Sequence, residues 1–303
     1  MKKLLFYLII GLLVVACGNS YEEQKRLSRA EKIRLAKEDS MALKVAVLPT
    51  LDCLPVFVAK DCRLFDTLGV DVRLRELSGQ IDCDEALRKG DVEGSVTDLV
   101  RGQRLIRRGT PLRYVISTNA YWQFISNRRS RISDLKQMED KMVAISRFSV
   151  TDMLGDMAVD SARVKSEYVF RVQINDPNIR LKMLLNNEMD AMLATEPQAT
   201  AARILKNPVL MDSRHKDIRM GVIAFRERAL KEKDRSKQLG LFVKAYNMAC
   251  DSLNQKGMQH YGLIISKYTK ADTRTIEQLP KLHFEHAASP RQKDIDRANR
   301  WLK

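Results

Sequence analysis

Aromatic residues make up only 6% of the chain, with two tryptophans and four histidines. Leu, Val, Met and Ala must therefore fill the core, a composition that suits mixed α/β packing. Beyond residue 16 no apolar run approaches the ~20 residues that cross a bilayer as a helix. The formal net charge is +15, yet no polybasic run occurs. Basic residues alternate with acids, as in Arg226-Glu227-Arg228 and Lys231-Glu232-Lys233-Asp234, the pattern of a solvated face, and no nucleic-acid partner is expected. There is no nucleophile elbow, no HExxH and no P-loop lysine motif. The pattern therefore calls for no catalytic residue, no cofactor and no enzyme. His283 and His286 stand close in sequence without an accompanying His or Cys cluster, so no metal site is assigned.

What is present begins at the first residue. Lys2 and Lys3 precede an apolar run, Leu4 to Ala16, with the length and flanks of a secretory signal. Val14-Val15-Ala16-Cys17 resembles a bacterial lipobox. That resemblance implies a lipoprotein signal peptide over residues 1–16, cleavage before Cys17, and attachment of lipid such as palmitate to Cys17. The protein is then expected in the cell envelope, anchored to a membrane and facing the periplasm or exterior. Residues 17–42 form the lipidated N-terminus and a charged tether, in which Leu27, Ile33 and Leu35 are too scattered to make a docking face.

From Leu43 the pattern changes. LKVAVL (Leu43 to Leu48) is a short β-branched run that predicts a buried strand. Pro55 suits a first helical turn, and Val58, Cys62 and Phe65 follow at helical spacing. Gly69 closes that segment and Val70 to Leu77 reads as a second strand. Asp84 to Lys89 predicts a short helix ended by Gly90, and Val92 to Val96 a third strand. Tyr114 to Ser126 reads as one longer strand. The alternation then restarts, with strands at Met142–Ile145, Glu167–Ile174 and Met189–Leu193 and helices at Thr151–Val164, Arg180–Leu185 and Pro197–Leu205. Arg219 to Phe225 leads back out, and Leu239, Phe242, Tyr246, Ala249 and Leu253 stripe a late helix. Repeated β-α-β units with short connections predict mostly parallel sheets flanked by helices.

Four stretches resemble the type II periplasmic-binding family, in its NMT1/THI5-like or nitrate/sulfonate/taurine-like branch. They are LKVAVLPTLDCLPVFVAK, ALRKGDVEGSVTD (Ala86 to Asp98), the entry ISDLK (Ile132 to Lys136) followed by MVAIS, and LLNNEMDAMLATEPQATAA (Leu184 to Ala202). Gln137-Met138-Glu139-Asp140 departs from the usual Gly-Lys turn. The resemblance implies a two-lobed α/β fold, each lobe a mostly parallel sheet flanked by helices, joined by two crossover strands. Lobe 1 is then 43–120 and 225–303, and lobe 2 is 121–224. It further implies a monomer that captures a small-molecule ligand and presents it to an ABC permease and ATPase. A solute binder without a transporter, acting as a sensor or surface receptor, is the alternative. An enzyme on the same scaffold is the remaining reading, and the cysteine-rich motif of the family's pyrimidine-forming enzyme is missing.

In open parallel sheets ligands sit beyond the carboxyl ends of the strands. That rule selects Asp52, Cys53, Ser78 to Cys83, Thr97 and Asp98 in lobe 1, and Ser146 to Thr151 (with Arg147, Phe148 and Ser149), Thr195 and Glu196 in lobe 2. Asn119, Tyr121 and Trp122 lie on the first crossover, where an aromatic ring either stacks on a planar ligand or packs. Ser146 to Asp152 joins a strand to a helix N-terminus and offers N–H donors and Arg147 to an anion, although Ser149 and Asp152 also form a capping box. Asp52, Asp98 and Glu196 argue against a purely anionic ligand, so a nitrogen-rich heterocycle and an anionic organic solute both stay open. Cys62 and Cys250 fall on apolar stripes as buried thiols. Cys53 and Cys83 follow neighbouring strands, and export permits a Cys53–Cys83 disulfide.

Overall fold

A computed structural model describes residues 29–303. The signal peptide and Cys17 lie outside the described residues. The chain divides into one unit up to Ala42 and a second over Leu43–Lys303. In the first, α1 (Arg29–Met41) is a charged helix with Ile33, Leu35 and Met41 exposed. Among the described residues no helix is long and apolar enough to cross a membrane.

The second unit contains two five-stranded sheets. The chain lays down β1 (Leu43–Val47), β2 (Val72–Glu76), β3 (Gly94–Asp98) and β4 (Leu112–Ser117). It then crosses over to build β5 (Gln123–Ser126), β6 (Lys141–Ile145), β7 (Val169–Gln173), β8 (Ala191–Ala194) and β9 (Val209–Asp212), and returns as β10 (Gly221–Arg226). Strand orders are β2-β1-β3-β10-β4 and β7-β6-β8-β5-β9. In the first sheet β10 alone runs against its neighbours, and in the second β5 alone does so. Each reversed strand is the one that a crossover delivers from the other lobe. The two lobes thus share one plan, a mostly parallel α/β sheet with one exchanged strand.

Local sequence explains most elements. Pro55 lies in the first turn of α2 (Leu54–Asp61), where no hydrogen bond is lost to its missing N–H. Arg63 then adopts a left-handed conformation at φ 59°, which turns the chain before Leu64. Cys62 is consequently exposed, against the expectation of a buried thiol, whereas Phe65 still reaches the core. Gly90, at φ 87°, ends α3 (Gln80–Lys89); the helix starts four residues before the expected Asp84. Asp98 caps α4 (Leu99–Arg107) through Arg101 N at 3.0 Å. Sequence periodicity missed α4 because buried Arg101 and Gln103 interrupt its apolar face.

Helix α5 (Val150–Ser161) starts at the Ser149 cap. Pro177 and the Asp176 cap begin α6 (Pro177–Leu185), and α7 is Gln198–Ile204. The late stripe holds: Leu239, Phe242, Tyr246, Ala249 and Leu253 are buried on α8 (Lys233–Lys256), and α9 is Gln292–Trp301. The expected single strand Tyr114–Ser126 is in fact β4 and β5 in different sheets, because residues 118–122 form the crossover. That segment has no Gly or Pro to mark the break.

Phe225 meets Phe242 edge-on at 5.5 Å in the core of lobe 1. A Cβ on Gly94 would come within 2.5 Å of the Phe225 ring, so glycine is needed there. Phe124, Val143, Ile145, Leu154 and Leu193 fill lobe 2.

Candidate functional site

The carboxyl ends of both sheets face one another across a cleft. It holds a cavity of about 40 Å³, room for roughly three water molecules. Lobe 1 contributes Thr50 and Asp52 after β1, Gln80 at the start of α3, and Val96 and Thr97 on β3. Lobe 2 contributes Thr151, Asn175, Pro177, Arg180 and Thr195, with Trp122 from the crossover. Asp52, Thr97, Thr151 and Arg180 are more than nine-tenths buried. Asp52 Oδ1, Thr97 Oγ1 and Arg180 Nε have no hydrogen-bond partner. Leaving a buried donor or acceptor unmade costs about 1–3 kcal/mol each, and three of the residues that line this space carry one.

Electrostatics sharpen this. Burial raises the Asp52 carboxyl above its ordinary range, and the Thr50 hydroxyl is the first of the hydrogen bonds that oppose it. Burial also holds the Arg180 guanidinium down to about 10, with Asp176 acting in the other direction. Arg180 spends its two terminal nitrogens on the carbonyls of Leu193 (2.7 Å) and Ile174 (2.8 Å).

The lobes are in direct contact around this space. Asn175 Oδ1 accepts from Ile81 N at 3.0 Å, and Asn175 Nδ2 donates to Asp82 Oδ2 at 3.0 Å. Asp98 Oδ1 accepts from Val150 N at 3.2 Å. Leu51 N donates to Glu196 O at 2.9 Å, and Gln198 Nε2 to Pro49 O at 2.9 Å.

A protein-family model described as NMT1/THI5 like matches residues 50–250. The chain belongs to that family. None of the curated protein sequences matches it. Among solved structures it is similar to the ligand-binding component of an ABC-type import system from Staphylococcus aureus. There the TM-score is 0.70 at 13% identity, over 86% of this chain and 91% of that one. It is also similar to the periplasmic aliphatic sulphonate-binding protein of Escherichia coli, with TM-score 0.68 and 14% identity over 86% and 87% of the two chains. For the periplasmic nitrate-binding protein of Synechocystis the TM-score is 0.67 at 13% identity, over 78% and 68%. Identities this low establish a shared two-lobed periplasmic-binding fold.

Within this NMT1/THI5-like cleft the residues chosen from sequence separate into three groups. Asp52, Thr97, Trp122 and Thr151 line the cavity. Asp98, Ser146 and Ser149 support its rim. Asp98 links the lobes as described, Ser149 Oγ caps α5 through Thr151 N at 3.1 Å, and the buried Ser146 Oγ has no partner.

The remaining candidates are turned elsewhere. Phe148, in a left-handed conformation at φ 55°, swings outward under the Arg104 guanidinium, 4.2 Å from its ring. Arg147 is half-exposed and faces Asp152 at 3.6 Å. Asn119 donates to His283 O at 3.2 Å beside a separate cavity at the crossovers.

Tyr121 and Glu196 belong to a closed polar ring. Tyr121 OH donates to Glu196 Oε1 at 2.5 Å, which also accepts from Arg203 at 2.8 Å. Arg203 reaches Gln123, Gln123 donates to Asp212 at 2.6 Å, and Arg214 grips Asp212. Arg214 then lies 3.9 Å over the Tyr121 ring. The ring stiffens the junction of β5, β9 and the crossovers, which accounts for Glu196 without a ligand.

The expected Cys53–Cys83 disulfide is not formed: both are free, buried thiols. Cys53 Sγ accepts from Leu48 N at 3.5 Å, inside its own turn, and burial raises both thiols, Cys83 to about 12. Sequence reading includes Gln80, within Ser78–Cys83, and Thr195, both of which line the cavity, and misses Asn175, Pro177 and Arg180. Arg180 did carry a signal, since it shares the buried face of α6 with Leu184. Among the described residues no group of three or more His, Cys, Asp or Glu is placed to hold a metal ion.

Proposed function

We propose that this protein is the extracytoplasmic solute-binding lipoprotein of an ABC-type importer, a monomer anchored through Cys17 that captures a small organic or anionic solute between its lobes. The observation that carries this reading is a space between the two lobes lined by Asp52, Thr97 and Arg180, buried residues that each keep an unpartnered polar atom. Such groups need a partner that leaves again, and closing two lobes over it breaks no bond. Its structural neighbours are described as a ligand-binding component of an import system, a sulphonate binder and a nitrate binder, which supports transport over turnover.

The test has two arms. A thermal-shift panel of sulfonates, nitrate, phosphonates, amino acids and pyrimidines should contain a compound that stabilises the protein by about 2.7 kcal/mol at 100 times its dissociation constant. Metabolic labelling with an alkyne palmitate should mark the protein expressed with its own leader, and Cys17→Ser should remove the label. Failure of every compound to bind overturns solute capture; an unlabelled wild type overturns anchorage.

A further inference from the structure

Helix α9 follows the lobe 1 segments in the chain, yet it touches both lobes and the second crossover. On the lobe 1 side Arg107, the last residue of α4, donates to Leu302 O at 3.0 Å and to Asn299 O and Oδ1 at 2.9 and 3.1 Å. On the lobe 2 side Trp301 Nε1 donates to Asp156 Oδ2 of α5 at 2.6 Å. At the crossover Asp217 accepts from Arg291 at 2.6 Å and from Lys293 at 2.5 Å. Ile295, Ala298 and Leu302 recur at helical spacing. With Trp301 they pack on a core to which α4 gives Leu99 and Val100 and α5 gives Met153, Leu154 and Ala158.

We propose that α9 is a third tie between the lobes, with the Trp301–Asp156 hydrogen bond as its catch, and that it holds the cleft closed when no solute is bound. This goes beyond the solute-binding reading and does not depend on which solute binds. The two crossovers can bend, whereas a helix stays with one lobe when the cleft opens. Its attachments decide which. Arg107 holds α9 by three hydrogen bonds and Asp217 by two ion pairs, so α9 stays with lobe 1 and Trp301 lets go of Asp156. An N–H on a carboxylate is about twice as strong as a neutral hydrogen bond, enough to shift the balance of open and closed forms. Asp156 also pairs with Arg171, which reaches Asp152 at 3.6 Å, and Asp152 Oδ2 accepts from Phe148 N at 2.8 Å. That loop leads to Thr151, which lines the cavity. Trp301 is thus a positioning residue for the lobe 2 wall of the cleft.

The test is the distance between the lobes, read by pulsed electron paramagnetic resonance on solute-free protein in a Cys17→Ser background. Nitroxide labels go on Cys62, the exposed thiol at the end of α2, and on Glu167→Cys, an exposed position just ahead of β7. Both lie toward the edges of their sheets where the strands begin, away from the cleft, so opening separates them. The expected result is one short-distance population for the parent. Trp301→Phe, which keeps a ring and loses the N–H, should add a longer population holding at least a fifth of the molecules. Arg107→Ala, which frees the other end of the tie, should do the same. The double variant should match either single one, because a tie cut at both ends is cut only once.

Distances unchanged in both variants, whatever their urea midpoints, would make Trp301 a packing residue and overturn the proposal. A parent already dominated by the longer distance would overturn it as well. Lengthening in Trp301→Phe but not in Arg107→Ala would show that α9 does not bridge the lobes. None of these results bears on solute capture, which the compound panel tests separately.

Discussion

Asn175 of lobe 2 caps a helix of lobe 1: its Oδ1 accepts from Ile81 N at 3.0 Å, at the start of α3, where the N-cap residue is Gly79 and has no side chain to offer. Asp98 of lobe 1 returns the favour at α5 of lobe 2, accepting from Val150 N at 3.2 Å while also capping its own α4. Each lobe thus satisfies helix donors of the other, and it does so only when the lobes are together. Closure is written into the capping pattern.

Gly79→Ala tests this. Gly79 has φ −153° and ψ 163°, an extended conformation that alanine also adopts, so no backbone strain is introduced. The new Cβ would lie 2.2 Å from Asn175 Nδ2 and force that side chain out of its cap. Losing a cap costs about 1 kcal/mol, so solute affinity should fall roughly fivefold while the urea midpoint stays close to wild type. Asn175→Ala should match it, and the double variant should be no worse than either alone. Additive losses would separate the glycine from the cap.

Asp98 gives a pH signature. Burial raises its carboxyl from 3.8 to about 6, opposed by Arg101, by the Arg101 and Val150 N–H groups, and reinforced by Asp84. Because the folded value lies above the unfolded one, the native state holds the extra proton between about pH 4 and 6. The associated stability is complete below that window and lost as pH rises through it, at most about 3 kcal/mol. Asp98→Asn keeps an oxygen for the caps and removes the titration. Urea midpoints from pH 4 to 7 should show a shallower fall for the variant than for wild type. Parallel curves would rule out this role for Asp98.

The repeating strand and helix pattern was legible because β-branched runs, Pro55 and Gly90 act locally. Half the cavity was legible for a topological reason: Asp52, Thr97 and Thr151 sit at or just past strand ends or at the helix start that follows, wherever the lobes stand. Asn175 and Arg180 become cavity residues only through their place on a loop and on the inner face of α6 against the other lobe, which no local pattern encodes. Arg147 and Phe148 were misplaced because the left-handed Phe148 reverses the direction of the loop, a conformation that its side chain does not advertise.

Arg101 makes a prediction about folding rather than ligand. Its side chain is buried against Asp84 and reaches across to the Arg147 carbonyl at 3.1 Å, with Nε unpartnered. Removing one member of a buried ion pair leaves an uncompensated charge and costs about 3–5 kcal/mol. Asp84→Asn should therefore lower the urea midpoint sharply. Adding Arg101→Met should recover most of the loss at pH 5, where the buried Asp98 carboxyl that also faces Arg101 holds its proton. A double variant as unstable as Asp84→Asn would show that the guanidinium stabilises through its contacts rather than burdening the core by its charge.

Thiol chemistry separates the four cysteines of the second unit. Cys62 is exposed beyond the end of α2, while Cys53, Cys83 and Cys250 are buried. Burial pushes Cys83 and Cys250 up to about 12 and Cys53 well above its ordinary value. Thiolate is the reacting species, so at pH 8 a group titrating near 12 is ionised in only about one molecule in ten thousand. In a Cys17→Ser background, a chromogenic disulfide reagent should titrate one thiol quickly, and Cys62→Ser should abolish that phase. The other three should react together, on unfolding in guanidinium. A fast phase of zero in the presence of Cys62, or only two thiols in the unfolded protein, would mean that a disulfide forms after all. Mapping by mass spectrometry would then say whether Cys53 and Cys83 carry it.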